Sequence, residues 1–243
     1  MEIHNSSSDM EHLSNIELFY SKSVNIKEDI ILIDGEECRH AVKVMRHRAG
    51  DEIFVTNGEG KIYDAVIREI LKDTLIAEIN KISLYNNKFP GVTFCLPKLK
   101  NPERFEFALE KCTELGICNF IIFESDRTIS KSNKIERWNK IALSAMKQSL
   151  QSFLPSISTV DSIEGIKHMD GKKIVFEQNS RNIFRGLLDD DSSKSFFLFG
   201  PEGGFSPKEL SLFSEDELFN LADNRLRSET AIIKCASLIT AIV

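Results

Sequence analysis

The run Ser195-Phe196-Phe197-Leu198-Phe199 passes directly into Gly200-Pro201-Glu202-Gly203-Gly204-Phe205 and then into Ser206-Pro207-Lys208-Glu209. A short, nearly unbroken apolar run has the length and character of a strand buried on both faces. The serine, proline and glutamate that follow supply an N-cap, a first-turn proline and the last member of a Ser-x-x-Glu capping box. A buried strand joined to a capped helix by a glycine loop constrains this part of the chain to an α/β layout. Such a loop also leaves bare backbone amides at a strand's carboxyl end, where α/β proteins hold ligands. On these residues alone a tight turn is the simpler reading.

The pattern around the loop extends the layout. From Pro90 onward strands and helices alternate, which predicts a mostly parallel sheet covered on both faces. Strand Val92–Leu96 leads to a helix over about 102–115, with Asn101 as its cap, Gly116 as its stop and Phe105, Ala108, Leu109, Cys112 and Leu115 as its buried stripe. Strand Phe120–Phe123 precedes a helix over about 133–153 whose Ile135, Trp138, Ile141, Ala142, Ala145 and Met146 face inward. Strands at Lys173–Glu177, Phe196–Phe199 and Glu217–Leu221 and a last helix from about Ser228 complete the series.

Residues 16–89 read differently, as a small β-rich barrel or sheet. Strand Ile30–Ile33 precedes a helix capped by Asp34, with Cys38, Ala41, Val42 and Met45 inward and Arg39, Lys43 and Arg46 on the opposite face. Strands Glu52–Thr56 and Lys61–Ile67 flank the hairpin signal Asn57-Gly58-Glu59-Gly60, and a further strand spans Thr74–Ile79. The polar residues 1–15 are expected to form a disordered tail. The expected organisation is therefore tail 1–15, β-rich domain 16–89 and α/β domain 90–243.

Several function classes lose support at this level. The five cysteines form no C-x-x-C pair and are odd in number, which disfavours disulfides and structural zinc. No apolar run has the length of a membrane span and no secretory signal opens the chain, so a cytoplasmic location and no membrane partner are expected. Gly-x-Gly-x-x-Gly, Gly-x-x-x-x-Gly-Lys-Ser/Thr, Gly-x-Ser-x-Gly and a His/Cys cluster at metal spacing are all missing, so no metal is expected. A net charge of −6 weighs against indiscriminate nucleic-acid binding. Two local runs oppose that average: Arg39, Lys43, Arg46 and Arg48 with His40 and His47, and Arg127, Lys131, Lys134, Arg137, Lys140 and Lys147. A solvated face is the ordinary meaning of either run alone.

If the sheet is parallel, the segments after Glu177, Phe199 and Leu221 open on one edge. The last of them contains Arg227-Ser228-Glu229-Thr230, where Ser228 or Thr230 is placed to cap a helix and Glu229 suits its positive end. Arg227 has no such excuse. A cation at a helix N-terminus is unfavourable by roughly 0.3–1 kcal/mol at an exposed site, so its position points to an anionic or electron-rich partner.

Gly200-Pro201-Glu202-Gly203-Gly204-Phe205-Ser206 together with Leu226-Arg227-Ser228-Glu229-Thr230-Ala231 resembles the paired C-terminal motifs of the SPOUT methyltransferases that act on N3 of a uridine in small-subunit (16S) ribosomal RNA. Leu96-Pro97-Lys98, Glu110-Lys111-Cys112-Thr113-Glu114-Leu115-Gly116 and Ala145-Met146-Lys147-Gln148-Ser149 with Pro155 are similar to upstream blocks of that family, and His40 to Arg46 with Gly50-Asp51 is similar to its PUA-like RNA-binding module. The resemblance implies an α/β fold whose C-terminal parallel sheet ends in a trefoil knot. It also implies S-adenosylmethionine as cofactor, a homodimer, and ribosomal RNA or the assembled small subunit as partner.

Carried onto this chain, the resemblance assigns cofactor contacts to Leu198, Phe199, Gly200, Pro201, Glu202, Gly203, Gly204, Leu221, Ala222, Leu226 and Thr230. Arg227 becomes the candidate for stabilising charge on the uracil, while Glu202 and Glu229 are candidates for the general base, with capping or cofactor holding as the alternative for each. Arg39, Lys43, Arg46, Lys98 and Arg127 become phosphate contacts. The chain departs from the family at Ala222, Asn224, Arg225 and Gln151, which puts detailed RNA contacts in question. Two other readings stay open. One is a SPOUT enzyme for ribose 2′-O or transfer RNA, which usually carries an Asn-x-Gly-x-x-x-Arg block where this chain has Glu110 to Gly116. The other is a catalytically vestigial RNA-binding protein.

Overall fold

A computed structural model describes residues 3–5, 16–128, 134–186 and 194–241. The chain divides into two compact units, Met1–Asn87 with Met146–Leu154, and Lys88–Ala145 with Pro155–Val243.

The first unit is a mixed sheet of β1 (Ile3–Asn5), β2 (Leu18–Tyr20), β3 (Ser23–Asn25), β4 (Ile30–Asp34), β5 (Glu52–Thr56), β6 (Lys61–Ile70) and β7 (Thr74–Leu84). The order is β2-β5-β6-β7-β4-β3, with β1 lying parallel to β7. Alternate residues (Ile31 and Ile33; Ile53 and Val55; Tyr63, Ala65 and Ile67; Leu75 and Ala77) point into one apolar cluster, the two-residue period of a sheet with one covered face. β1 replaces part of the expected tail, and the remainder of that expectation lies outside the described residues.

The basic helix departs from its expected form. After α1 (Gly35–Arg39) the chain widens into a π-helical turn over His40–Val44, closed by the Met45 amide on the His40 carbonyl at 3.0 Å. A wider turn rotates later residues off the α-helical stripe. Cys38 and Ala41 therefore stay buried, while Val42 is half-buried and Met45 is exposed. Asp34 occupies the cap position, but its side chain makes no capping hydrogen bond.

Residues 146–154 join this unit. The Ser152 carbonyl accepts from the Gly60 amide at 2.9 Å, and the Leu154 amide donates to the Gly58 carbonyl at 2.9 Å. Both glycines have positive φ, +77° and +82°, and a Cβ on Gly60 would lie 2.5 Å from the Phe153 ring. The Asn57–Gly60 turn is thus a socket as well as a hairpin loop.

The second unit is a parallel sheet of β8 (Val92–Pro97), β9 (Asn119–Phe123), β10 (Ser156–Val160), β11 (Lys172–Phe176), β12 (Ser195–Leu198) and β13 (Leu218–Phe219). Its order is β10-β9-β8-β12-β11-β13. Every pairing is parallel. Successive residues face opposite layers. Phe94, Leu96, Phe120, Ile122 and Phe197 pack with Phe105, Leu109, Ile232 and Cys235 of α2 (Pro102–Glu114) and α6 (Ser228–Thr240). Cys95, Ile121, Phe123, Val175 and Leu198 pack with Ile163 and Ile166 of α4 (Ile163–Lys167) and with Phe205 beside α5 (Pro207–Leu210). Each such side chain contributes on the order of 1.5–3 kcal/mol by leaving water. The two faces of covered strand explain the continuous apolar runs in the sequence.

Two differences from expectation follow from local chemistry. α3 (Ile135–Gln148) stops before 153, because Leu150 adopts φ +56°. The Gln151 amide then reaches back to the Met146 carbonyl and the Leu150 amide to the Lys147 carbonyl, a Schellman closure built without glycine. α2 closes in the same way on Gly116, as its sequence indicates. β13 is also shorter than the predicted Glu217–Leu221 strand, since Glu215–Glu217 is a turn of 3₁₀ helix capped by Ser214.

Candidate functional site

β9 and β10 lie on one side of β8, and β12, β11 and β13 on the other, so the order in which the parallel strands are laid down reverses between β8 and β12. In parallel sheets the crevice beyond the strand carboxyl ends at such a reversal is where ligands bind. A cavity of about 730 Å³ lies at those ends, lined by the segments after β11, β12 and β13. That size suits one or two small organic ligands. Its wall includes Phe176 and Phe199, stacked with ring centroids 4.9 Å apart, and Leu221.

The glycine loop is held from several directions. The Ser228 hydroxyl donates to the Gly200 carbonyl at 2.6 Å, an Arg127 guanidinium nitrogen to the Gly203 carbonyl at 2.5 Å, and the Gly204 amide to the Pro201 carbonyl at 2.8 Å. Glu202 accepts the Lys100 amide at 3.0 Å. Gly204 has φ +68° with open space where a Cβ would stand. Ser206 and Glu209 form the capping box that the sequence predicts.

Nine of the predicted cofactor contacts line this one cavity: Phe199, Gly200, Pro201, Glu202, Gly203, Gly204, Leu221, Ala222 and Leu226. Leu198 and Thr230 are not on its wall. Leu198 is buried in the opposite apolar layer, and Thr230 is exposed one position away from the lining residue Ala231. Arg227 lines the cavity, is exposed, and makes no ion pair among the described residues. It occupies the cap position of α6 itself, so neither Ser228 nor Thr230 caps that helix.

The two candidate carboxylates separate. Glu202 is exposed on the cavity wall, whereas Glu229 is buried off it, with one oxygen 3.6 Å from Arg104 Nε and the other lacking a hydrogen-bond partner among the described residues. Arg104 lines the cavity and carries no motif, so only its place in the first turn of α2 brings it there. Ser228 is the other residue whose role was hidden, because a serine at a helix start reads first as a cap.

The predicted RNA contacts also divide. Arg39, Lys43 and Arg46 are exposed in the first unit. Lys98 is buried and paired with Glu124 at 2.7 Å. Arg127 lines the cavity, but one of its nitrogens is engaged by Gly203. All five cysteines are buried and form no disulfide, and burial raises every one of the thiols, that of Cys118 to about 11, so none of them offers a thiolate near neutral pH. Among the described residues no cluster of His, Cys, Asp and Glu has the arrangement of a metal site, and no helix is long and apolar enough to cross a membrane.

Residues 87–240 match the family described as an RNA methyltransferase domain, and residues 33–80 match an RNA methyltransferase PUA domain. The chain is 28% identical over 226 residues to a ribosomal RNA small subunit methyltransferase E of Bacillus subtilis, covering 86% of this chain and 88% of that protein. A crystal structure of a ribosomal RNA small subunit methyltransferase E from Neisseria gonorrhoeae bound to S-adenosyl methionine superposes with a TM-score of 0.82 at 25% identity, covering 93% of this chain and 98% of the other. A probable rRNA-methyltransferase from Porphyromonas gingivalis gives a TM-score of 0.79 at 28% identity with the same coverage, 93% and 98%.

Proposed function

The chain belongs to the RNA methyltransferase family, and from that membership we propose that it methylates N3 of a uridine in the 16S ribosomal RNA of the small subunit, with S-adenosylmethionine as methyl donor. One observation carries the reading: a single cavity at the sheet's carboxyl edge gathers both the glycine loop and the Leu221–Ser228 segment. The glycine loop, and Leu226, Arg227, Ser228 and Ala231 of the second stretch, belong to the segments whose sequence resembles the paired motifs of the uridine-N3 enzymes.

The lining fits such a cofactor. Phe176, Phe199, Leu221, Ala222 and Leu226 give an apolar wall suited to an adenine ring, and the glycine loop and α6 supply backbone donors and acceptors for a ribose and an amino-acid end. Pinning of the loop at Gly200, Gly203 and Gly204 limits the ordering entropy that binding would cost. When bound, the cofactor supplies an electrophilic methyl group on a sulfonium sulfur.

The remaining requirement falls on the chain's own residues. Uracil N3 carries a proton at neutral pH, and as it is lost negative charge spreads onto the neighbouring carbonyl oxygens. Arg227 is exposed on the wall and unpaired among the described residues, so its guanidinium is available to stabilise that charge. Glu202, on the wall, is favoured as proton acceptor; Glu229, buried off the wall, is favoured as the partner that holds Arg104. The first unit, with exposed Arg39, Lys43 and Arg46, serves to position RNA phosphates. The resemblance further supports a knotted C-terminal segment, a homodimer and a cytoplasmic location.

Arg227→Ala is expected to lower kcat by about 10²–10³-fold while leaving S-adenosylmethionine affinity within a few-fold, read by single-turnover kinetics and calorimetry. Unchanged turnover would remove Arg227 from the chemistry. Mass spectrometry of 16S ribosomal RNA from a strain lacking the gene tests the substrate; N3-methyluridine at full level there contradicts the assignment.

A further inference from the structure

Glu209 is almost fully buried, at 3% exposure, and no lysine or arginine pairs with it among the described residues. A carboxylate in that position is costly unless hydrogen bonds replace its lost hydration. Its two oxygens are both used, and by different parts of the chain. Oε2 accepts the Ser206 amide at 2.7 Å, which completes the capping box, while Oε1 accepts the amide of Asp126, 83 residues earlier in the turn after β9, at 3.0 Å. The Ser206 hydroxyl closes the ring, accepting the Glu209 amide at 3.1 Å and donating to Asp126 Oδ2 at 2.6 Å.

Capping does not account for this arrangement. A helix of four residues gains little from one more capping bond, and glutamine serves the same capping position. What glutamine cannot do is accept at both ends, because its amide nitrogen would face a backbone N–H. The next residue of the same turn, Arg127, donates to the Gly203 carbonyl at 2.5 Å, and its side chain lies 3.3 Å from where a Cβ on Gly203 would stand. One turn therefore grips the glycine loop at Gly203 and, through Asp126 and Glu209, at Ser206.

We propose that the Asp126–Arg127 turn and Glu209 form a clamp that sets the conformation of the glycine loop for cofactor binding, with Glu209 as its positioning residue. Arg127, expected from sequence to touch phosphate, acts on the protein's own backbone instead. The clamp rests on the reading of this cavity as the cofactor site, and the test separates the two.

Amide hydrogen exchange of the ligand-free full chain compares wild type with Glu209→Gln and Asp126→Asn. Glu209→Gln is expected to speed exchange across residues 200–206 at least ~10-fold, with the first unit unchanged. Asp126→Asn keeps an oxygen to accept from Ser206 and the amide that Glu209 needs, so it is expected to stay within twofold of wild type. Calorimetry then reads Glu209→Gln as at least ~10-fold weaker in S-adenosylmethionine binding, with KM for ribosomal RNA within twofold. Loop exchange within twofold of wild type, acceleration spread over both units, or equal loss in both variants overturns the clamp; faster loop exchange with unaltered cofactor affinity overturns its service to the site. A wild-type chain that binds no S-adenosylmethionine overturns the reading of the cavity, while the exchange comparison still decides the clamp.

Discussion

Two stretches of this chain are rich in lysine and arginine, and the fold uses them in opposite ways. In the first, Arg39, Lys43 and Arg46 are exposed around a π-helical turn and form no ion pair among the described residues. In the second, Arg127 donates to Gly203, Arg137 makes a two-pronged pair with Glu106 at 2.5 and 2.7 Å, and Lys147 pairs with Glu37. Lys98, grouped with them by the resemblance, pairs with Glu124, and only Lys134 and Lys140 are left exposed and unpaired, Lys131 lying outside the described residues. Charge density along a sequence thus reports how many cations there are. The carboxylates that folding brings beside them decide how many remain for a polyanion.

The comparison breaks most visibly in RNA binding. Replacing Arg39, Lys43 and Arg46 together by Ala is expected to lower the slope of log affinity against log salt by about 2–3, since each phosphate contact contributes roughly 0.7–0.9. An unchanged slope would show that the exposed cluster is ordinary solvated surface. Lys147→Ala is expected to act on the fold instead. It strips Glu37 of its cation in a half-buried place and should cost about 1–3 kcal/mol in a denaturant titration, with the salt slope unaltered. The smallest effect is expected from Arg137→Ala: its guanidinium is 63% exposed, although Glu106 is only 12% exposed, so the unfolding free energy should fall by less than in Lys147→Ala and the salt slope should not move. A shifted slope in Arg137→Ala would mean that its pair opens for RNA and that the two clusters are less different than the fold makes them.

Where sequence and structure agree, a residue had one dominant reason to be where it is. Gly116 ends α2 because the left-handed position there favours glycine, and Ser206 with Glu209 caps α5 as their spacing indicates. The apolar runs at 94–96, 120–123 and 196–199 become strands covered on both faces. The glycine loop and Arg227 come together on one cavity as their sequence suggests.

Agreement fails where tertiary context supplies the reason. Leu150 ends α3 in a conformation that costs a non-glycine residue about 1–2 kcal/mol, and nothing local announces it. β10 is an edge strand, Ser-Ile-Ser-Thr-Val, with three of five positions exposed, so it lacks the apolar run that marks its neighbours. Lys98 and Glu124 stand 26 positions apart, and Glu209 and Asp126 83 apart. Partnerships over such distances leave no trace in spacing, which is why neither the carboxylate beside Lys98 nor the second hydrogen bond of Glu209 could be read from the sequence.

The socket at Gly58 and Gly60 bears on how this chain can be cut. Met146–Leu154 belongs to the first unit although it is reached only through residues 88–145 of the second. A fragment ending at Asn87 would lose the Ser152 acceptor of the Gly60 amide, the Leu154 donor to the Gly58 carbonyl and the Phe153 ring over Gly60. The β-rich portion is therefore not a detachable cassette. Its folding waits on chain made some sixty residues later, so during synthesis from the N-terminus it can be completed only after Leu154 has emerged.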